Sequence, residues 1–177
     1  MDNRNASAAD GWERMENKME MQEIIALVKE TKAFVDNRER AGHVKVKGLA
    51  DYVTQVDTDI QSFLARELGN RFPDIQFLGE EEGLHEMSGD TYWILDPIDG
   101  TTNLIHDYQH SVVSLALYEK GEITLGIIYD PFREDVYHAQ KGTGSFLNGV
   151  PIHVSDAETL GETIITVGTS PYDREVA

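Results

Sequence analysis

Apolar residues, with one threonine among them, recur with a helical period from about Glu20 onward. They fall at i, i+3, i+4 and i+7, the spacing expected for one buried face of a helix. This face consists of Ile24, Leu27, Val28, Thr31, Phe34 and Val35. Residues 42–53 break the pattern and contain Gly42 and Gly48, which predicts an irregular, flexible segment.

A second helical face follows this break. It consists of the apolar residues Val56, Ile60, Phe63, Leu64 and Leu68. Thr54 or Asp57 could cap the start of the helix, because a short polar side chain there accepts a hydrogen bond from a free main-chain N–H. Gly69-Asn70 predicts its end, since both residues favour the left-handed backbone conformation that closes helices.

Shorter hydrophobic runs rich in β-branched residues follow Pro73 and predict strands. These strands cover residues 75–78, 92–95, 111–118, 122–129, 135–139 and 152–154. Turn signals separate several of them, at Glu119-Lys120-Gly121, Gly142, Gly144 and Asn148-Gly149. Two helices followed by an antiparallel meander indicate an α+β fold, in which two helices pack on one face of an antiparallel sheet.

Composition limits the classes of function. The chain has 177 residues, of which 40% are hydrophobic and 27% charged, so it fits one folded domain with a core. Its net charge of −17 argues against binding to nucleic acid or to an anionic membrane, because both need clustered Lys and Arg. The absence of cysteine excludes a disulfide framework and a cysteine-ligated zinc site.

The two ends of the chain differ from its central part. Residues 1–20 are polar and contain no apolar core, so they predict a disordered leader rather than a signal peptide. No apolar run reaches the about 18 residues of a membrane span, and we expect a soluble, cytoplasmic protein. The final segment, residues 161–177, contains TIITV at 163–167, which predicts a new buried strand. This strand suggests the start of a second α/β half that has been cut off.

The stretch WILDPIDGTTN, residues 93–103, carries the strongest chemical signal. Its first three residues predict a buried strand that ends at Asp96, because Pro97 lacks the N–H needed to continue the ladder. Asp99 then points back toward Asp96 across a tight turn. Crowded carboxylates repel each other unless a cation lies between them. The alternative interpretation is an ordinary Asp-rich turn.

Oxygen ligands with no His or Cys nearby favour a hard cation. Calcium takes about six to eight oxygens, usually from one loop such as the EF-hand, and that pattern does not occur in this sequence. Magnesium accepts a few carboxylates together with water and substrate phosphate. The six histidines have no metal-ligand spacing, and we interpret them as surface or sheet residues. The stretch therefore predicts one wall of a Mg²⁺ site that handles phosphate esters.

Three further candidates lie before this stretch. Glu80 belongs to GEEEG at 79–83, directly after an apolar strand, and the alternative there is a solvated acidic turn. Lys47 follows a glycine-containing stretch and could reach a phosphate. Asp57 could either cap the second helix or take part in the site, and Thr54 has the same ambiguity.

The run WILDPIDGTTN, together with GEE at 79–81, resembles the inositol monophosphatase family of lithium-sensitive, magnesium-dependent phosphatases. The resemblance covers roughly residues 20–177 and implies that residues 21–160 form an α+β metal-phosphatase domain, the first half of an αβαβα layered fold. Weaker similar stretches occur in the same order as in the family: DYVTQVD at 51–57, GIIYDPFREDVYHAQKGTGSFLNG at 126–149 and IHVS at 152–155.

The resemblance also implies which residues hold metal. The side chains of Glu80, Asp96 and Asp99 and the main-chain carbonyl of Ile98 correspond to ligands of Mg²⁺, for which Mn²⁺ is a possible substitute. Asp57 corresponds to a residue that binds a loosely held third ion through water.

The remaining implied roles concern water and phosphate. Glu80 and Thr101 together would orient the attacking water, so the implied catalytic residues are Glu80, Thr101 and Asp57. The main-chain N–H groups of Gly100 and Thr101 would hold the phosphate. Lys47 matches a lysine on a mobile loop near the substrate.

The implied activity is Mg²⁺-dependent hydrolysis of a phosphate monoester, foremost inositol monophosphate, by a lithium-sensitive homodimer. Fructose-1,6-bisphosphatase and bisphosphate nucleotidase activity stay open, as does an impaired fragment that binds only a metal or a partner. The family's second half carries a WDxAAG-like motif whose Asp is another metal ligand. Neither Trp12 nor Trp93 is followed by Asp, so the motif does not occur here, and we expect feeble activity from this chain alone.

Overall fold

The residues with predicted helical periodicity lie in three helices of the described part of the chain. The structure, a computed structural model, describes residues 20–37, 42–48, 51–81 and 89–166. Helix α1 covers residues 20–30, a turn at Thr31 separates it from α2, Lys32–Val35, and α3 spans Gln55–Arg71. The apolar faces of these helices are buried or half-buried in one hydrophobic core, which confirms both helical predictions.

Helix α3 ends at Arg71, one residue beyond the predicted end at Gly69-Asn70. Gly69 and Asn70 stay helical, and the Phe72 N–H donates to the Leu68 carbonyl at 2.7 Å. Arg71 bonds the Glu67 carboxylate at 2.7 Å across the last turn, which holds that turn together. The prediction was wrong because Pro73, rather than the glycine, sets the limit of the helix.

Residues 44–48 and 51–54 form two paired strands, so the prediction of an irregular segment was wrong. Strand β1, Val44–Gly48, pairs antiparallel with β2, Asp51–Thr54, and the register joins Val44 to Thr54. The alternation of Val and Lys in β1 has the period of two that strands require, although the glycines on both sides obscure it.

In the described part of the chain, the main sheet has seven strands in sequential order. They are β3 Gln76–Gly79, β4 Thr91–Asp99, β5 Val112–Glu119, β6 Glu122–Asp130, β7 Asp135–Gln140, β8 Gly144–Leu147 and β9 Val150–Ile152. A short helix α4, Thr101–Ile105, follows β4. Strands β4 to β9 form an antiparallel meander, as predicted, but β8 was not among the predicted strands and β9 lies at Val150–Ile152 rather than at 152–154. Strand β3 pairs parallel with β4 and makes the sheet mixed.

Two hairpin turns have the backbone geometry that their sequences predict. Lys120 and Gly121 have φ of 50° and 98°, and Asn148 and Gly149 have φ of 50° and 79°. Two successive positive φ angles match the twist of the flanking strands and favour Asn and Gly. These turns set the β5–β6 and β8–β9 registers.

The helices cover one face of the sheet, as predicted. Alternate residues of the central strands point into the core, and the largest of them are Trp93, Leu95, Leu115, Ile127 and Tyr129. On the other face Ile128 and Tyr137 pair across β6 and β7, and they remain 45% and 43% exposed. No helix in the described part of the chain is long and apolar enough to cross a membrane.

The predicted strand at 163–167 does not form in its described part. Residues 163–166 belong to no strand, and Ile164 and Ile165 are 91% and 63% exposed. Apolar residues alone cannot make a strand, because a strand needs a neighbour that pairs with its main chain. The predicted leader at 1–20 lies outside the described residues except for Glu20, which belongs to α1, and the domain boundaries stay predictions.

Candidate metal centre

Strand β4 carries both aspartates of the predicted site. It runs to Asp99 rather than ending at Asp96, so that prediction was wrong. The register with β5 shifts between Asp96 and Asp99, and this bulge accommodates Pro97, which has no N–H to donate. Within the bulge, the Ile98 N–H donates to Asp96 Oδ1 at 3.1 Å. Both aspartates therefore lie at one end of a central strand.

Glu80 reaches the same place from the neighbouring strand. It follows β3 directly, and its N–H donates to the Leu95 carbonyl of β4 at 3.1 Å. The parallel pairing of β3 with β4 thus brings the carboxyl ends of both strands together. Sequence reasoning placed Glu80 at a strand end but contained no information on this pairing.

The carboxylates of this site influence one another. The pKa of Asp96 is raised to about 7, first by burial, then by the negative charges of Glu80 and Asp99, and also by a hydrogen bond with the Glu80 side chain. The Ile98 N–H acts in the opposite direction because it stabilises the Asp96 carboxylate. Such mutual repulsion is what a bound cation relieves.

The carboxylates at this site suit a Mg²⁺ ion that is also bound by water and phosphate better than a metal ion held by protein ligands alone. Within the described ranges, no three His, Cys, Asp or Glu side chains converge closely enough to hold a metal by themselves. Mg²⁺ commonly uses one or two carboxylates and completes its shell with water and phosphate oxygens. The Glu80–Asp96 pair, with Asp99 nearby, supplies ligands of that kind.

Asp57 is a buried residue of α3 that contacts the turn after β4. Its side chain is 1% exposed, and Oδ2 accepts the Thr54 N–H at 2.9 Å and the Thr54 hydroxyl at 2.5 Å. Oδ1 lies 3.0 Å from the Thr101 hydroxyl, which is also 3.0 Å from the Ile98 carbonyl. Asp57 therefore belongs to the capping box of α3, in which Thr54 is the N-cap, and it also contacts the turn after β4 through Thr101. Its part in the metal site stays a prediction.

The turn at Gly100 has a conformation that glycine alone adopts readily. Gly100 has φ of 93°, and an added Cβ would lie 3.0 Å from the His110 carbonyl. The Ser111 hydroxyl donates to the Gly100 carbonyl at 2.8 Å, and Asn103 Nδ2 donates to the His110 carbonyl at 2.7 Å. These bonds fix the turn that presents Gly100 and Thr101, whose phosphate contacts stay predictions.

Lys47 and Gln61 differ from what the sequence predicts. Lys47 lies in β1 rather than in a loop, and its side chain is outside the described residues. Gln61 was not predicted from the sequence, although its Oε1 accepts the Glu81 N–H at 3.0 Å. The available signal was an amide side chain four residues after Asp57, on the helix face that is otherwise apolar.

The fold and this carboxylate site agree with the comparisons with known proteins. The chain belongs to the inositol monophosphatase family, which matches residues 13–176. It is 38% identical over 135 residues to the Nus factor SuhB of Xylella fastidiosa, covering 76% of this chain and 49% of the relative. It is 39% identical over 132 residues to the inositol-1-monophosphatase of Rhizobium meliloti, covering 74% and 50%.

A solved structure supports the same assignment. The chain matches an IMPase/NADP phosphatase complexed with Mg²⁺ and phosphate with a TM-score of 0.70 and 29% identity, covering 76% of this chain and 52% of that one. The family resemblance is confirmed, and so is its layered fold. This chain spans about half the length of the curated relatives described above.

Proposed function

We propose that this chain binds Mg²⁺ through Glu80, Asp96, Asp99 and the Ile98 main-chain carbonyl, and serves the hydrolysis of a phosphate monoester. The observation that carries the proposal is the placement of Glu80 directly after β3, with its N–H bonded to the Leu95 carbonyl, beside the end of β4 that carries Asp96 and Asp99. Inositol monophosphate is the first substrate to test, because the family and the Rhizobium relative carry that name.

The protein's own groups divide the work of hydrolysis. A bound Mg²⁺ polarises phosphoryl oxygens and makes a coordinated water more acidic. Thr101 has one hydroxyl proton, and the carboxylate of Asp57 is a stronger acceptor for it than the Ile98 carbonyl. With that proton directed to Asp57, the Thr101 oxygen would accept a hydrogen from the attacking water, and Glu80, which follows the neighbouring strand β3, would orient the same water.

Phosphate binding falls to the turn after β4 in this proposal. The main-chain N–H groups of Gly100 and Thr101 would donate to phosphate oxygens, and Lys47 would supply a positive charge, as the family resemblance implies. Their role is to position the ester, since phosphoryl transfer depends on placement and charge stabilisation rather than on a covalent intermediate.

Hydrolysis by this chain alone is expected to be feeble. The family resemblance implies a further acidic ligand from a second half, and its motif does not occur in the 177 residues. Loss of one strong electrostatic group typically lowers turnover by about 100- to 1000-fold. We expect at least that deficit relative to the Rhizobium meliloti relative in the same Mg²⁺ assay.

Phosphate release from inositol 1-phosphate, fructose 1,6-bisphosphate and a 3′,5′-bisphosphonucleotide tests the proposal. Asp96→Asn serves as the control for contaminating phosphatases, and Li⁺ is added in a parallel series. Mg²⁺-dependent release above the Asp96→Asn level supports the proposed function, and the preferred ester identifies the substrate. Release equal to that control for every ester supports a metal- or partner-binding fragment instead. Activity equal to that of the Rhizobium meliloti relative refutes the expectation that hydrolysis needs an acidic ligand from a second half.

We also propose that the chain self-associates through the face of the sheet that the described helices leave exposed. Ile128 and Tyr137 leave apolar area exposed there, and such patches favour association. Ile128→Lys is expected to reduce association in multi-angle light scattering, whereas Thr143→Lys, in an exposed turn, is expected to have no effect. A clean wild-type monomer at high concentration would contradict this proposal.

A further inference from the structure

Gln61 is a buried polar residue that contacts the main chain just after β3. It lies in α3 and is 4% exposed, among apolar neighbours such as Ile60 and Leu64. A buried amide is retained at little loss of stability only when it is hydrogen-bonded. Its Oε1 accepts the Glu81 N–H at 3.0 Å, so the side chain joins the helix to the segment after β3.

The fit between Gln61 and this segment requires the glycine at position 79. A Cβ on Gly79 would lie 2.2 Å from Gln61 Oε1, 2.3 Å from Cδ and 2.8 Å from Nε2. These distances are far below van der Waals contact, so the amide of Gln61 lies directly against the main chain of Gly79. Gly79 is required for space rather than for an unusual backbone angle.

Two consecutive main-chain N–H groups, those of Glu80 and Glu81, are therefore hydrogen-bonded. The Glu80 N–H is held by the Leu95 carbonyl at 3.1 Å, and the next N–H along the chain is held by Gln61. The Glu80 side chain itself is exposed, so surrounding packing does not fix it. Its position relative to Asp96 depends on how firmly the main chain beneath it is held.

We propose that Gln61 is a positioning residue that holds Glu80 in place for cation binding. The inference rests on the proposed function, because it concerns the metal ligand assigned there. Residues that orient metal ligands without touching the metal typically affect affinity or activity by about 10- to 100-fold. Gln61 has that role through the main chain of Gly79–Glu81 rather than through the carboxylate.

Amide hydrogen exchange tests the anchor without any metal. In NMR, the Glu81 amide of Gln61→Met is expected to exchange at least about tenfold faster than in the wild type, since an amide proton that has lost its acceptor is released by smaller openings. Methionine keeps the length of the side chain but removes the acceptor. Gln61→Glu keeps an acceptor and should preserve protection, and Gly79→Ala should mimic Gln61→Met because its methyl group displaces the amide.

Mg²⁺ titration tests the consequence. The dissociation constant for Mg²⁺ is expected to rise about 10- to 100-fold in Gln61→Met and in Gly79→Ala. Gln55→Met is the matched control, because Gln55 is exposed and, among the described residues, its side chain bonds only its helix neighbours Thr58 and Asp59. Its affinity for Mg²⁺ should equal that of the wild type.

The outcomes separate this inference from the proposed function. Unchanged Glu81 exchange and unchanged Mg²⁺ affinity in Gln61→Met, with normal binding by the wild type, overturn the positioning role and leave the proposed function standing. A wild type that binds no Mg²⁺ refutes the proposed function and the metal-related role together, while Glu81 exchange then still decides whether Gln61 anchors the loop.

Discussion

Replacing Asp96 by asparagine is expected to abolish the stabilisation that Mg²⁺ gives to this protein. A ligand that binds only the native state stabilises it by about 2.7 kcal/mol at about 100 times its dissociation constant. For a chain of this size, that corresponds to a rise in melting temperature of about 5–11 °C. Asp96→Asn removes a ligand charge at the centre of the site, next to Glu80 and Asp99. Asp99→Asn should have the same effect, and thermal unfolding with and without Mg²⁺ measures both.

The controls for this experiment concern position and metal type. Glu122→Gln removes a carboxylate at the far end of the sheet, where it pairs with Lys141, and should leave the Mg²⁺ response unchanged. Mn²⁺ should replace Mg²⁺, whereas Zn²⁺ should not, because the site offers oxygen rather than nitrogen or sulfur ligands. An undiminished Mg²⁺ response in both aspartate variants would rule out the assignment of these ligands.

Truncating Trp93 to alanine is expected to cause the largest loss of stability among single substitutions in β4. Trp93 is 1% exposed and packs against Phe72 with ring centroids 5.6 Å apart. Truncation of a buried Trp or Phe to Ala typically lowers the free energy of unfolding by about 3–5 kcal/mol. Urea unfolding followed by circular dichroism should report this loss, because the method does not depend on tryptophan fluorescence.

The matched substitution for Trp93→Ala is Trp93→Phe. Phenylalanine keeps an aromatic ring against Phe72 and leaves a smaller cavity, so less than half of the loss is expected. Because β4 also carries Asp96 and Asp99, Trp93→Phe should retain the Mg²⁺ response if the strand keeps its register. A loss below about 1 kcal/mol for Trp93→Ala would contradict the burial of this side chain.

The sequence predicted those features that depend on local periodicity or on turn chemistry. The buried faces of α1 and α3 repeat every three or four residues, and Asn148-Gly149 has the preferences of one specific turn. The parallel pairing of β3 with β4 was not predictable, because no local pattern says which strands become neighbours. That pairing nevertheless brings Glu80 to the end of β4 that carries Asp96, where the metal site is proposed.

Other differences have local causes. The antiparallel pair of β1 and β2 was missed because flanking glycines outweigh a short alternation of Val and Lys. The bulge at Pro97 carried β4 beyond Asp96, since a bulge accommodates a residue without an N–H. Gln61 was missed because its importance comes from contact with Gly79, which is distant in sequence.

Anomalous scattering from crystals grown with Mn²⁺ would test the central claim most directly. The account predicts an anomalous peak bounded by the carboxylates of Glu80 and Asp96, the Asp99 side chain and the Ile98 carbonyl, and its loss in Asp96→Asn crystals. A well-ordered Glu80–Asp96 pair with no peak beside it, or a peak bound elsewhere on the chain, would contradict the assignment of this strand end as a metal site.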